Sequence, residues 1–106
     1  MSSTTTYIDP LQTASQHYRL ILENDRVRVL EMLLPAGEKD NQHSHPCETV
    51  HFVTGGKARI HLPGDESVEL DIPDGHVMWH EQWTHQVENI GTTDIRAVIV
   101  EDKTTR

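Results

Sequence analysis

Between residues 18 and 101 the chain is cut into short stretches of extended character. The cuts fall at Asn24-Asp25, Pro35-Ala36-Gly37, Gly55-Gly56, Pro63-Gly64-Asp65, Pro73-Asp74-Gly75 and Asn89-Ile90-Gly91. Each is turn chemistry with a mechanism: Gly supplies positive φ, Pro presets its own φ, and Asn and Asp bond to nearby backbone. Stretches this short, recurring at this spacing, predict an all-β barrel or double-sheet sandwich. The predicted strands cover 18–22, 27–34, 49–54, 57–62, 67–72, 76–80, 85–89 and 95–101. Several alternate: Ala58, Ile60 and Leu62 face one way and Lys57, Arg59 and His61 the other, and Val68, Leu70 and Ile72 repeat the pattern. No window of helical length carries an apolar stripe. Ahead of the strands, Asp9 as N-cap and Pro10 at the first helical position predict one short helical turn. A chain of 106 residues holds one domain, expected over 17–106, with residues 1–16 as a partly loose N-terminal extension.

Charge narrows the partners. Nine Lys+Arg against 17 Asp+Glu give a net charge of −8, which repels phosphate backbones and anionic lipid, so no nucleic acid and no membrane is expected. Apolar runs such as Ala97-Val98-Ile99-Val100 fall far short of the roughly 20 residues of a membrane helix. The start shows no basic segment followed by an apolar one, so a cytoplasmic location is expected. A single cysteine, Cys47, excludes an internal disulfide and agrees with a reducing compartment. The apolar stretch 27–34 is expected to serve as core and subunit contact, giving a homodimer by burial of a sheet edge.

Histidine is the chemical signal, with eight in the chain. In Gly37-x5-His43-Ser44-His45, two histidines stand two apart. On an extended strand they share a face with Cα atoms about 6.5 Å apart, close enough for both imidazoles to reach one metal ion. This motif resembles the first motif of the cupin superfamily, G-x5-H-x-H-x3/4-E-x6-G, and Gly75 with His85-x3-Asn89 resembles the two ends of the second. The likeness spans about residues 26 to 101. Two departures stand out. The family's carboxylate position falls on Thr49, with Glu48 one place early, and the second motif is one residue short, with Glu81 and Trp83 where proline and glycine are usual.

The resemblance implies a cupin β-barrel, a double-stranded jelly roll, with His43, His45 and His85 as metal ligands. Two residues could replace the missing acid: Glu48, if the strand begins with a bulge, or His51, which alternation puts on the same face as Thr49. A site of neutral imidazoles is similar to that of three-histidine cupin dioxygenases, which leave a divalent ion its full charge to attract an anionic, bidentate ligand. The implied activity is an Fe(II)-type dioxygenase acting on a small chelating substrate, although Zn, Ni, Mn or Co could occupy the same imidazoles. The alternatives are a non-redox isomerase, lyase or decarboxylase, with Glu48, His51 or His80 as acid/base, and a non-catalytic binding or sensor module.

The remaining features have plainer expectations. His17, His61 and His76 are expected to be structural or exposed, and His80 and Glu81 to flank a turn near the cavity mouth. Trp79 and Trp83 are expected to build core and cavity wall. Cys47 fills a turn, and Glu88, Asp94, Glu101 and Asp102 form solvated acidic surface.

Overall fold

The structure is a computed structural model and describes residues 7–105. Among these, a short helix α1 (Pro10–Thr13) precedes nine strands: β1 (Tyr18–Glu23), β2 (Val27–Leu34), β3 (His43–His45), β4 (Glu48–Thr54), β5 (Gly56–Leu62), β6 (Glu66–Ile72), β7 (Val77–His80), β8 (Trp83–Asn89) and β9 (Ile95–Asp102). They form two antiparallel sheets, ordered β1-β2-β9-β4-β7 and β3-β8-β5-β6. This is the double-sheet jelly roll that the turn spacing predicts. The one strand that alternation does not signal is β3: three residues are too few to show a period, and all three are buried.

Alternation decides what the barrel encloses. On β2 the inward residues are Arg28, Leu30, Met32 and Leu34; on β9 they are Glu101, Ile99, Ala97 and Ile95. The two sets face each other in register, from Arg28↔Glu101 at one end to Leu34↔Ile95 at the other. Ala58, Ile60 and Val87 close the core from the second sheet. The connection that carries the chain from β4 in one sheet to β5 in the other needs glycine, because a Cβ on Gly55 would lie 1.9 Å from the Ile72 carbonyl oxygen.

Three expectations change. Strand β2 lies between β1 and β9, so it is not a free edge; the apolar residues left on the surface near it belong to β1, namely Leu20, Ile21 and Leu22. Val68 and Leu70 alternate as expected but remain exposed, because β6 is a sheet edge with no strand beyond it. Trp79 is 59% exposed: on β7 it shares the outer face with Val77.

The segment ahead of β1 packs tightly where it is described. Asp9 caps α1 by accepting from the Leu11 N–H, and Ala14 is in the core. Ile8 pairs with the middle of β3: its N–H donates to the Ser44 hydroxyl and its carbonyl accepts from the Ser44 N–H at 2.6 Å. Any looseness expected of residues 1–6 falls outside the described residues. No helix among the described residues is long and apolar enough to cross a membrane.

Candidate metal centre

The antiparallel pairing of β3 with β8 sets His43 opposite His85 and His45 opposite Trp83. Because His43 and His45 share a face of β3, all three histidines turn into the barrel, where His43 is 0%, His45 1% and His85 6% exposed. One ring nitrogen from each lies within 4.8 Å of the others. The Nε2 atoms of His43 and His85 are 3.1 Å apart. Two nitrogens bound at right angles to one cation, each by a bond of about 2.1 Å, would stand about 3.0 Å apart. The spacing therefore suits a shared divalent ion.

Hydrogen bonds on the far side of two rings decide which nitrogens are free. His43 Nδ1 lies 2.7 Å from the Asn41 carbonyl and donates to it, leaving Nε2 as a lone pair. His45 Nδ1 lies 2.6 Å from Glu101 Oε2, so its Nε2 is the nitrogen left for a cation. The Tyr18 hydroxyl donates its one proton to Asp40 at 2.9 Å and turns an oxygen lone pair toward His43 Nε2 at 3.0 Å. His85 Nδ1 is buried without a hydrogen-bond partner. His43 and His45 thus present Nε2 lone pairs beside His85 Nε2, a donor set that fits a cation.

Burial keeps two of the three rings neutral. Desolvation, helped by the nearby His45, pulls His43 down to about 3, against the Asn41 carbonyl. His85 is held well below the usual imidazole range, again chiefly by burial. Both rings are unprotonated at neutral pH, the form that binds metal. Burial also pushes Asp40 up to about 6, opposed by the Val87 N–H and the Tyr18 hydroxyl, and it raises Tyr18 well above its ordinary value.

The expected residues separate here. Glu48 is buried, because β4 begins at Glu48 and alternates inward through Glu48, Val50 and Phe52. It stands on the Nδ1 side of His45 at 3.6 Å and is not part of the gathered donor group, which contains no carboxylate. Its Oε2 accepts from the Trp83 indole N–H, and burial raises its pKa. The same alternation puts Thr49 and His51 on the outer face, so His51 is neither brought to the histidine trio nor set in the cavity wall. His80 stacks on Trp83, with centroids 3.6 Å apart and Nδ1 2.7 Å from the Glu81 carbonyl, and also stays outside the trio. His61 pairs with Glu88 and His17 with Glu38, both in structural roles. Cys47 sits half-buried in the β3–β4 turn.

Glu101 corrects an expectation. Read as acidic surface, it is 0% exposed and links His45 to Arg28, whose Nε donates to Glu101 Oε1 at 3.0 Å. Arg28 in turn donates to Asp9 through Nη1 at 3.2 Å and Nη2 at 3.0 Å, and to the Tyr7 hydroxyl at 3.3 Å. The signal was available: Glu101 shares the parity of Ile95, Ala97 and Ile99, and Arg28 that of Leu30, Met32 and Leu34. Tyr18 and Asp40 carried no such mark, since β1 shows no alternation of burial and Asp40 lies outside the nine strands.

A narrow cavity of about 60 Å³ runs into the barrel beside the site, with Tyr18, His45, Glu48 and His85 among otherwise mainly apolar walls. It shares Ile60, Leu70, Met78 and Trp83 with a wider groove at the surface.

No family model and no curated protein matches the chain. Solved structures do. The cupin domain from Bordetella pertussis Tohama I is 26% identical, with a TM-score of 0.71 over 80% of this chain and 90% of that one. The chain belongs to the cupin superfamily. Two further solved structures share the fold. A protein with a double-stranded β-helix domain from Klebsiella pneumoniae is 19% identical, with a TM-score of 0.65 over 100% of this chain and 95% of its own. One from Thermotoga maritima, described as a predicted oxalate decarboxylase, is 24% identical, with a TM-score of 0.58 over 80% of this chain and 77% of its own. Along β4 the inward face begins at Glu48, so Glu48 is buried and Thr49, on which the motif's carboxylate position falls, is not.

Proposed function

We propose that this cupin is a metal-dependent enzyme in which His43, His45 and His85 hold a divalent cation, and that its chemistry is that of an Fe(II)-type dioxygenase acting on a small chelating substrate. The observation that carries the reading is the donor group itself: three inward imidazoles with no carboxylate among them. When bound there, a divalent cation supplies Lewis acidity and, if it is iron, redox chemistry with dioxygen.

The chain's own residues do the rest. The Asn41 carbonyl and Glu101 hold His43 and His45 in the tautomers that present Nε2. The cavity admits on the order of four waters by volume, so the reacting part of a substrate must be small. Phe52, Met78 and Trp83 wall it against bulk water. Iron loading under anaerobic conditions, followed by oxygen uptake across diketones, thiols and small acids, tests the reading. Uptake above that of metal-free protein is expected, and its absence across the panel would sink the redox assignment.

Glu48 favours a second reading. A buried carboxyl with a raised pKa in the cavity wall is placed to hold or move a proton, as a non-redox isomerase, lyase or decarboxylase using Zn, Ni or Mn requires. Zinc-loaded protein that turns over substrate without oxygen, and loses that activity in Glu48→Gln, would replace the first reading with this one. A homodimer remains part of the proposal, with the contact moved from β2 to the exposed apolar edge of β1. Light scattering that gives the mass of one chain at micromolar concentration would remove it.

A further inference from the structure

We propose that Asp9, Arg28 and Glu101 are positioning residues for the metal centre, through which the segment ahead of β1 sets the affinity of the histidine trio for a divalent cation. This inference rests on the reading that the trio holds a metal.

The contacts form one unbroken line. Asp9 grips both terminal nitrogens of Arg28, the Arg28 Nε donates to one oxygen of Glu101, and the other oxygen takes the His45 Nδ1 proton at 2.6 Å. Arg28 is 4% exposed and carries a permanent charge, so it needs acidic partners on both sides of its fork. Glu101 divides its two oxygens between Arg28 and His45. A hydrogen-bonded acid behind a ligating imidazole fixes its tautomer and ring orientation and makes Nε2 a better donor. If Asp9 no longer neutralises its side of Arg28, the guanidinium draws harder on Glu101, and the bond to His45 lengthens.

The same segment grips β3 directly. Ile8 exchanges two hydrogen bonds with Ser44, the residue between the two histidines. The Asn41 side chain donates to the Thr13 carbonyl, and the Asn41 carbonyl holds His43. Residues 8–13 therefore brace both ligands of β3, and the Asp9 line is the part that carries charge.

Asp9→Asn isolates that part, because asparagine keeps the N-cap of α1 while removing the negative charge that faces Arg28. The test is titration of cobalt(II) into full-length metal-free protein, reading the dissociation constant by chelator competition and the energy of the visible absorption bands. Five proteins are compared: wild type, Asp9→Asn, Arg28→Gln, Glu101→Ala and Leu34→Ala. Changes behind a metal ligand cost roughly 10–100-fold in affinity. A loss in that range is expected for Glu101→Ala, a smaller one for Arg28→Gln and a several-fold one for Asp9→Asn, with shifted bands in all three. Leu34→Ala, in the apolar core away from this line, should lower stability and leave affinity and bands unchanged. Wild-type affinity and bands in Asp9→Asn, which is expected to fold whatever becomes of the Arg28 variant, would overturn the inference. Wild-type protein that takes up no cobalt would instead remove the metal reading beneath it.

Discussion

The two ends of the β2/β9 ladder are equally buried and chemically opposite. At one end Leu34 faces Ile95 and Met32 faces Ala97; at the other Arg28 faces Glu101, both under 5% exposed. The apolar end stabilises the barrel through area removed from water, about 25 cal/mol per Å². The charged end gains little net stability, because the cost of drying two ions roughly cancels their attraction. An ion pair kept at such a position contributes through what it holds, and what it holds is His45. The jelly roll is thus a scaffold at one end and a ligand clamp at the other.

The sharpest way to break this contrast is to unpair the charged end. Glu101→Leu alone should cost about 3–5 kcal/mol, since it leaves the buried Nε side of Arg28 without its acid. Adding Arg28→Met should recover most of that loss without restoring metal affinity, as urea denaturation with chelator and cobalt titration would show. If the double variant stays as unstable as the single one, the pair is itself a main source of stability and the contrast fails.

At the apolar end, Leu34→Ala should cost about 2–5 kcal/mol by leaving a cavity, with metal affinity unchanged. The same two measurements check it. Equal loss of metal would mean that the two ends are mechanically coupled.

Acid sharpens the comparison. His43, held at about 3 in the folded chain against about 6.5 unfolded, contributes stability that is present above pH 6.5 and is lost as pH falls toward 3. Asp40, raised to about 6, acts oppositely: its contribution is full below pH 3.8 and is lost as pH rises through 6. Comparing metal-free wild type with His43→Gln isolates the first. Their difference in unfolding free energy should shrink by about 1.4 kcal/mol per pH unit on acidification below 6.5. A difference that does not vary with pH would mean that His43 is not held neutral by burial. The smallest effect belongs to His51→Ala. Lying on the outer face of β4, it should change stability by no more than about 0.5 kcal/mol and leave metal content by mass spectrometry unchanged.

Much of the site was legible because a β-strand has a period of two. Parity alone places Arg28 with Leu30, Met32 and Leu34, Glu48 with Val50 and Phe52, and Glu101 with Ile95, Ala97 and Ile99. Polarity argued the other way for Glu101, and burial followed parity, because its neighbours supply the charge and the hydrogen bonds that a buried acid needs. Trp79 failed in the opposite sense: its bulk suggested core, and its place beside the outward Val77 left it exposed. Size and charge are weaker guides to facing than register.

What the sequence determined by itself was the all-β class, the turns, the short capped helix and the close pair His43 and His45, since each rests on neighbours within a few residues, whereas His85 entered only through the resemblance of its motif. Turn chemistry, capping and alternation are local physics, legible without a fold. Only the tertiary structure decided which residues stand behind the ligands. Tyr18 reaches His43 from 25 residues away and Glu101 reaches His45 from 56, separations that chain pattern cannot convey. The choice among Glu48, Thr49 and His51 was likewise made by pairing: the ladders with β7 and β9 fix which face of β4 turns inward, and a shift of one residue would have exchanged them all.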